Sequence, residues 1–205
     1  MRDGVDVTGL IHAARDGDEP ALGNLLGLYR NYIRFLAHTG VDDRLRIKAD
    51  GSDLAQDVLT RAYERFDQFR GDSEGELIAW LRTILANALA ELARRYRVAQ
   101  ARTIDRERSI EEVLEQSTAM LAAALRTKEP SPRRAAEKRE RSVLLADALA
   151  ALSEDHRRVI MLRNIEQLSW NETGQRMNRD SNAARMLWTR ALAKLGPILK
   201  ERGLA

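Results

Sequence analysis

Apolar residues recur at three- and four-residue spacing along most of this chain, the mark of helices that bury one face. Leu22, Leu25, Leu26, Tyr29, Ile33 and Leu36 form one such stripe. Glu19-Pro20 precedes it, with Pro suited to a first helical turn, and Gly40 is placed to end it. After a polar stretch over 41–51, Ser52 or Asp53 is positioned to cap a second helix carrying Leu54, Val58, Ala62, Tyr63 and Phe66 inward. Residues 69–75, with two glycines and short polar side chains, predict a loop. A long helix follows on Leu77, Leu81, Ile84, Leu85, Ala88 and Leu92 and closes on Arg94, Arg95 and Arg97, whose charge suits the negative end of the helix dipole.

The pattern breaks over residues 98–140, where charges of both signs are dense and Pro130 and Pro132 intervene. That stretch predicts a linker. Helical spacing then resumes on Val143, Leu144, Leu145, Ala148, Leu149 and Leu152. Ser153 is placed to cap a helix bearing Val159, Ile160 and Leu162. Ser169 and Glu172 make the S-x-x-E pattern of a capping box, opening a short helix that ends near Met177-Asn178. Asp180 or Ser181 caps a longer helix through Ala184, Leu187, Trp188, Ala191, Leu192 and Leu195. No stretch alternates as a strand would. The expected fold is all-α, with two small helical domains at 1–97 and 141–205 joined by the linker 98–140.

Composition narrows the chemistry. The 205 residues include no cysteine, which excludes thiolate metal sites and disulfides, and the three histidines, His12, His38 and His156, lack metal-ligand spacing. No cofactor is expected. Neither a secretory signal nor an apolar run of about 18 residues is present, so a cytoplasmic protein without a membrane span is expected. Phosphate-binding glycine motifs and nucleophile–base pairs are absent too, and no enzymatic activity is expected. Charge is uneven. Residues 1–60 hold 7 basic and 10 acidic side chains, and residues 141–205 hold 11 and 7, which suits nucleic acid at the basic end.

The last two helices carry the sharpest signal. A short helix, a tight turn and a longer helix with exposed cations form a helix-turn-helix, whose second helix enters the major groove. Between its buried positions that helix offers Ser181, Asn182, Arg185, Thr189 and Arg190. Asn pairs with adenine and Arg with guanine through two hydrogen bonds each, while Arg179 and Lys194 suit phosphates. Taken alone, this fits a stand-alone helix-turn-helix regulator or a helical partner-binding protein as well.

The segment "ALSEDHRRVIMLRNIEQLSWNETGQRMNRDSNAARMLWTRALAKL" at 151–195 resembles region 4 of sigma-70-family RNA polymerase sigma factors, in particular the extracytoplasmic-function (ECF) group. "DLAQDVLTRAYERFDQF" at 53–69 resembles region 2.2, and "FRGDSEGELIAWLRTILANALAELARR" at 69–95 resembles regions 2.3 and 2.4. "GDEPALGNLLGLYRNYIRFLA" at 17–37 resembles region 2.1. The resemblance implies a factor that brings core polymerase to promoters and assists their opening. It implies polymerase contacts from Asp53, Gln56 and Asp57 to the β′ clamp helices. It implies −10 contacts from Phe69, Arg70, Ser73, Trp80, Asn87, Arg94 and Arg95, and −35 contacts from Arg179, Ser181, Asn182, Arg185, Thr189, Arg190 and Lys194. Promoter DNA and core polymerase, including its β flap, are the implied partners, and an anti-sigma factor is a further one that the family admits. Two departures stand out. The stretch from Phe69 to Trp80 is about two residues longer than usual. Thr173-Gly174 replaces a common Ile-Ala, and Gly costs about 1 kcal/mol against Ala inside a helix, so the first helix of the pair is expected to be marginal.

Overall fold

Asp6 accepts a hydrogen bond from the Gly9 amide and so opens a helix that the apolar spacing from residue 19 onward does not include. This is α1, Val7–Arg15, which buries Val7, Ile11 and Ala14. The computed structural model describes residues 5–40, 51–99 and 132–204, without the side chains of residues 40, 96–99 and 132–139. The polar stretch 41–50 and most of the expected linker lie outside these. α2 runs over Glu19–Gly40, as its Pro and Gly limits predict, and α3 over Gly51–Glu64. Ser52 and Asp53 thus lie within the first turn of α3 instead of ahead of it. A 3₁₀ turn, Phe66–Gln68, leads to α4, Glu74–Ala99.

The second half opens earlier than expected. α5 spans Pro132–Ala150 and begins inside the stretch assigned to the linker, with Pro132 as its first residue, where a missing amide costs nothing. α6, Glu154–Ile160, passes into a π-helical turn over Met161–Ile165. Ser153 stands at the N-cap of α6, but its hydroxyl pairs with Nδ1 of His156 at 2.9 Å. α7, Trp170–Arg176, and α8, Ser181–Glu201, complete the chain. No strand occurs among the described residues, in keeping with the all-α expectation. None of the described helices is long and apolar enough to cross a membrane.

The two halves share one apolar core. α2 packs on α1, α3 and α4, and α5 packs on α2 and α4 from one side and on α8 from the other. Val143, Leu144, Leu145, Ala146, Ala148 and Leu149 of α5 are all buried, so this helix carries apolar residues around most of its circumference. A polar clasp joins the halves: Asn31 of α2 donates to Asp147 of α5 at 2.9 Å.

Candidate polymerase and nucleic-acid interfaces

On α3, Leu54, Ala55, Val58 and Leu59 are buried, which turns Asp53, Gln56 and Asp57 outward together. All three are exposed. Asp57 is not free, since Arg61 one turn on holds it at 3.0 Å and also reaches Glu91 of α4 at 3.0 Å. Glu91 in turn binds Arg95 at 2.6 Å. The paired cations, Arg61 first, hold the Glu91 carboxyl below its ordinary range. This network braces the acidic face of α3 against α4.

The residues expected near a −10 base divide into two groups. Phe69 is buried, 3% exposed, and its ring packs against Phe66 at 5.7 Å and Trp80 at 5.3 Å. It cannot present its face to a base without leaving the core. Ser73 is also committed. Its hydroxyl donates to Glu76 at 2.7 Å, while Glu76 accepts from the amides of Asp72 and Ser73 at 3.0 Å each. This S-x-x-E box starts α4, and its Ser73 lies inside the stretch read as plain loop. Trp80 is half-buried, with one side on Phe66 and Phe69. Arg70, Asn87, Arg94 and Arg95 are exposed. Trp80, Asn87 and Arg94 stand seven residues apart, nearly two helical turns, and so share one stripe of α4 about 10 Å per step. The stripe offers an aromatic edge, an amide and a guanidinium in succession, with Arg70 at its head. The side chain of Arg97 lies outside the described residues.

Two left-handed residues, Gln167 (φ 55°) and Asn178 (φ 54°), flank α7, the first helix of the helix-turn-helix. Asn tolerates that backbone where most residues do not. The predicted capping box closes as expected: the Glu172 amide donates to the Ser169 side chain, and the Ser169 amide donates to Glu172 at 2.8 Å. Asp180 caps α8 by accepting from the Ala183 amide at 2.7 Å. Arg158 of α6 donates to the Arg176 carbonyl at the end of α7. Thr173 and Gly174 are no weakness here. Thr173 is fully buried and donates to the Ser169 carbonyl at 2.8 Å. Gly174 meets the turn so closely that a Cβ there would lie 2.7 Å from the Arg179 carbonyl oxygen. The missing side chain lets α7 seat against the turn.

On α8, Ala184, Ala191 and Leu195 are buried and Asn182, Arg185, Thr189, Arg190 and Lys194 exposed, while Ser181 is half-buried. Leu192, expected inward, falls at the margin of the packed face and is 36% exposed. Arg179 pairs with Asp155 at 2.7 Å. Arg185 lies over the Trp170 ring, 5.4 Å from its centroid, and Arg163 lies 4.8 Å from it. Trp170 meets Trp188 edge-on at 5.5 Å, and Trp188 Nε1 donates to Asn164 at 2.7 Å. The reading by residue type passed over Met186, which is 56% exposed between Arg185 and Thr189. An apolar side chain there suits a thymine methyl group.

Both capping boxes carry a pH signature. The Ser73 hydroxyl, then the Asp72 and Ser73 amides, hold Glu76 below the ordinary glutamate range, and Ser169 does the same for Glu172. A carboxylate lowered in the fold stabilises it above its unfolded pKa of about 4.3 and loses that effect as pH falls. Helicity followed by circular dichroism is expected to hold from pH 7 to about 5 and decline below. The Glu76→Gln, Glu172→Gln double variant should show a shallower decline, and an unchanged one would remove the boxes as its source.

An all-helical protein with a capped helix-turn-helix belongs to the class of helical DNA-binding proteins. Comparison with known proteins makes this specific. Residues 142–195 match the family "Sigma-70, region 4". The chain is similar to the RNA polymerase sigma factor CarQ of Myxococcus xanthus, 30% identical over 190 residues, which is 91% of this chain and 94% of that protein. It is similar to the RNA polymerase sigma-E factor of Streptomyces avermitilis, 29% identical over 76% of this chain and 74% of the other. The ECF RNA polymerase sigma-E factor of Escherichia coli is 27% identical over 80% and 78%. The chain belongs to the ECF group of sigma-70-family RNA polymerase sigma factors, non-catalytic subunits that direct transcription initiation.

Proposed function

We propose that the two halves divide the work of a sigma factor. Residues 1–97 dock on core polymerase and hold the −10 element, and residues 141–205 read the −35 element as duplex. The observation that carries this reading is the pairing of two unlike surfaces. One is the exposed Asp53–Gln56–Asp57 face of α3, and the other is the capped helix-turn-helix with Asn182, Arg185 and Arg190 outward on α8. The α3 face meets the β′ clamp helices and the second half meets the β flap.

At the −10 element, Trp80, Asn87, Arg94 and Arg95 track one strand along α4. An aromatic edge stacks on an unpaired base, and cations follow its phosphates. Phe69 and Ser73 shape this site from within. At the −35 element, Arg185, Asn182, Met186 and Thr189 face base edges, and Arg190, Lys194 and Arg179 face phosphates. Arg179 exchanges Asp155 for a phosphate on binding. In this reading an anti-sigma partner acts by covering these same helix faces.

The direct test is binding to core polymerase. Asp53→Ala with Gln56→Ala is expected to weaken association tenfold or more, since interface anchors cost about 1–2 kcal/mol or above when truncated. The melting curve should stay in place, because both side chains are solvent-facing. Unchanged affinity in a pull-down with purified core enzyme removes α3 from the interface.

A further inference from the structure

Helix α1 holds none of the individual residues given a contact above, yet its last turn grips the turn ahead of the −10 stripe. Arg15 donates through Nη1 to Asp72 at 2.8 Å and through Nη2 to the Gly71 carbonyl. His12, one turn earlier, stands 3.8 Å from Asp72. These contacts cross 56 and 57 residues of chain, so they do not follow from local sequence.

The turn they hold is fixed on its other sides as well. Glu76 occupies the amides of Asp72 and Ser73. Phe69 anchors the turn in the aromatic cluster, and a Cβ on Gly71 would lie 2.7 Å from the Glu76 Cβ and 2.8 Å from the Phe69 ring. Arg15 comes from outside the segment, with His12 beside it at Asp72 and Tyr29 of α2 donating to Glu74 at 2.9 Å. Arg15 sets the direction of the Gly71 carbonyl, and so of the Gly71–Asp72 peptide, one residue beyond Arg70. Arg70 is exposed and stands four residues before α4 begins.

We propose that Arg15 is a positioning residue for promoter opening: it locks the Gly71–Asp72 turn so that Arg70 and the Trp80 edge meet the −10 strand in one fixed arrangement. This rests on the reading of α4 as the −10 interface and adds α1 to it. Held by a forked guanidinium with two acceptors, the turn is set in orientation as well as position. Because binding groups need accurate placement to act, freeing the turn spreads Arg70 over many positions and weakens capture of the opened strand.

The experiment is run-off transcription with purified core polymerase and full-length protein. The templates are one promoter and its single-base variants at the −10 and −35 elements. Arg15→Ala is expected to slow open-complex formation roughly three- to tenfold, the scale of a lost charge-assisted hydrogen bond. It should also flatten base preference at one −10 position while leaving −35 preference and core affinity as in the parent. Surface ion pairs add little to stability, so the melting temperature should hardly move. Arg15→Gln keeps the aliphatic stem and is the variant to read if Arg15→Ala does not fold. Asn87→Ala serves as the marker for the −10 reading. If Asn87→Ala alters −10 preference and both Arg15 variants do not, the latch is overturned and the reading stands. If all three leave −10 preference intact, both fall. Equal losses at −10 and −35 would assign Arg15 to the fold alone and overturn the proposal.

Discussion

Arg185→Ala is expected to cut transcription from promoters that depend on a −35 element by about ten- to a hundredfold, while binding to core polymerase stays unchanged. The magnitude follows from the loss of one bidentate arginine–guanine contact, about 1–3 kcal/mol of discrimination. Several observations favour this side chain over its neighbours. It stands in the second turn of α8, where a recognition helix reaches base edges. It is exposed and lies over Trp170, and Trp170 is itself met edge-on by Trp188 and by Arg163, 4.8 Å from its centroid. A guanidinium resting on an aromatic face loses less freedom on binding than one that moves freely. Lys194→Ala, facing phosphate, should weaken all sequences alike and reduce the dependence of binding on salt. If Arg185→Ala abolished core binding, the division between the two halves would be wrong.

Local chemistry was legible in the sequence wherever a few adjacent residues decide the outcome. Pro20 and Gly40 bound α2, Ser169 with Glu172 opens α7, Asn178 takes the left-handed turn, and Asp180 caps α8. Each is an interaction across three or four residues, so the order of side chains contains it. The same logic also held for a signal left unread: Ser73 and Glu76 have the S-x-x-E spacing, and two glycines nearby drew attention to a loop instead. α1 escaped because only Val7, Ile11 and Ala14 mark its inner face, with Gly9 in its first turn.

What the sequence did not contain was which parts meet across long separations. The burial of Phe69 depends on Trp80 and Phe66, and the grip of Arg15 on Asp72 depends on α1 folding back. The packing of α5 on α2 is of the same kind, with Asn31 and Asp147 116 residues apart.

Gly174→Ala should destabilise the protein, although helix propensity alone says the opposite. Alanine is favoured over glycine inside a helix by about 1 kcal/mol, and fewer unfolded conformations add to that preference. Against it stands the turn. A Cβ at 174 lies 2.7 Å from the Arg179 carbonyl oxygen and 3.1 Å from the Asp180 carbonyl carbon, both rigid backbone atoms. Forcing extra volume into such a contact costs about 1–3 kcal/mol. The Gly174 carbonyl also accepts from the Arg179 amide at 2.8 Å, so α7 cannot lift away without losing that bond. Gly27 supplies the comparison: it lies in α2, is exposed, and has nothing within 4 Å of an added Cβ. Gly27→Ala is expected to raise the melting temperature by about 2–4 °C and Gly174→Ala to lower it by a similar amount, the scale of 1 kcal/mol in a chain of this size. Affinity for −35 duplex should fall further than stability does, because the displaced atoms belong to the turn that aims α8. A higher melting temperature for both variants would mean that the close approach of α7 to its turn is not the constraint that keeps glycine there.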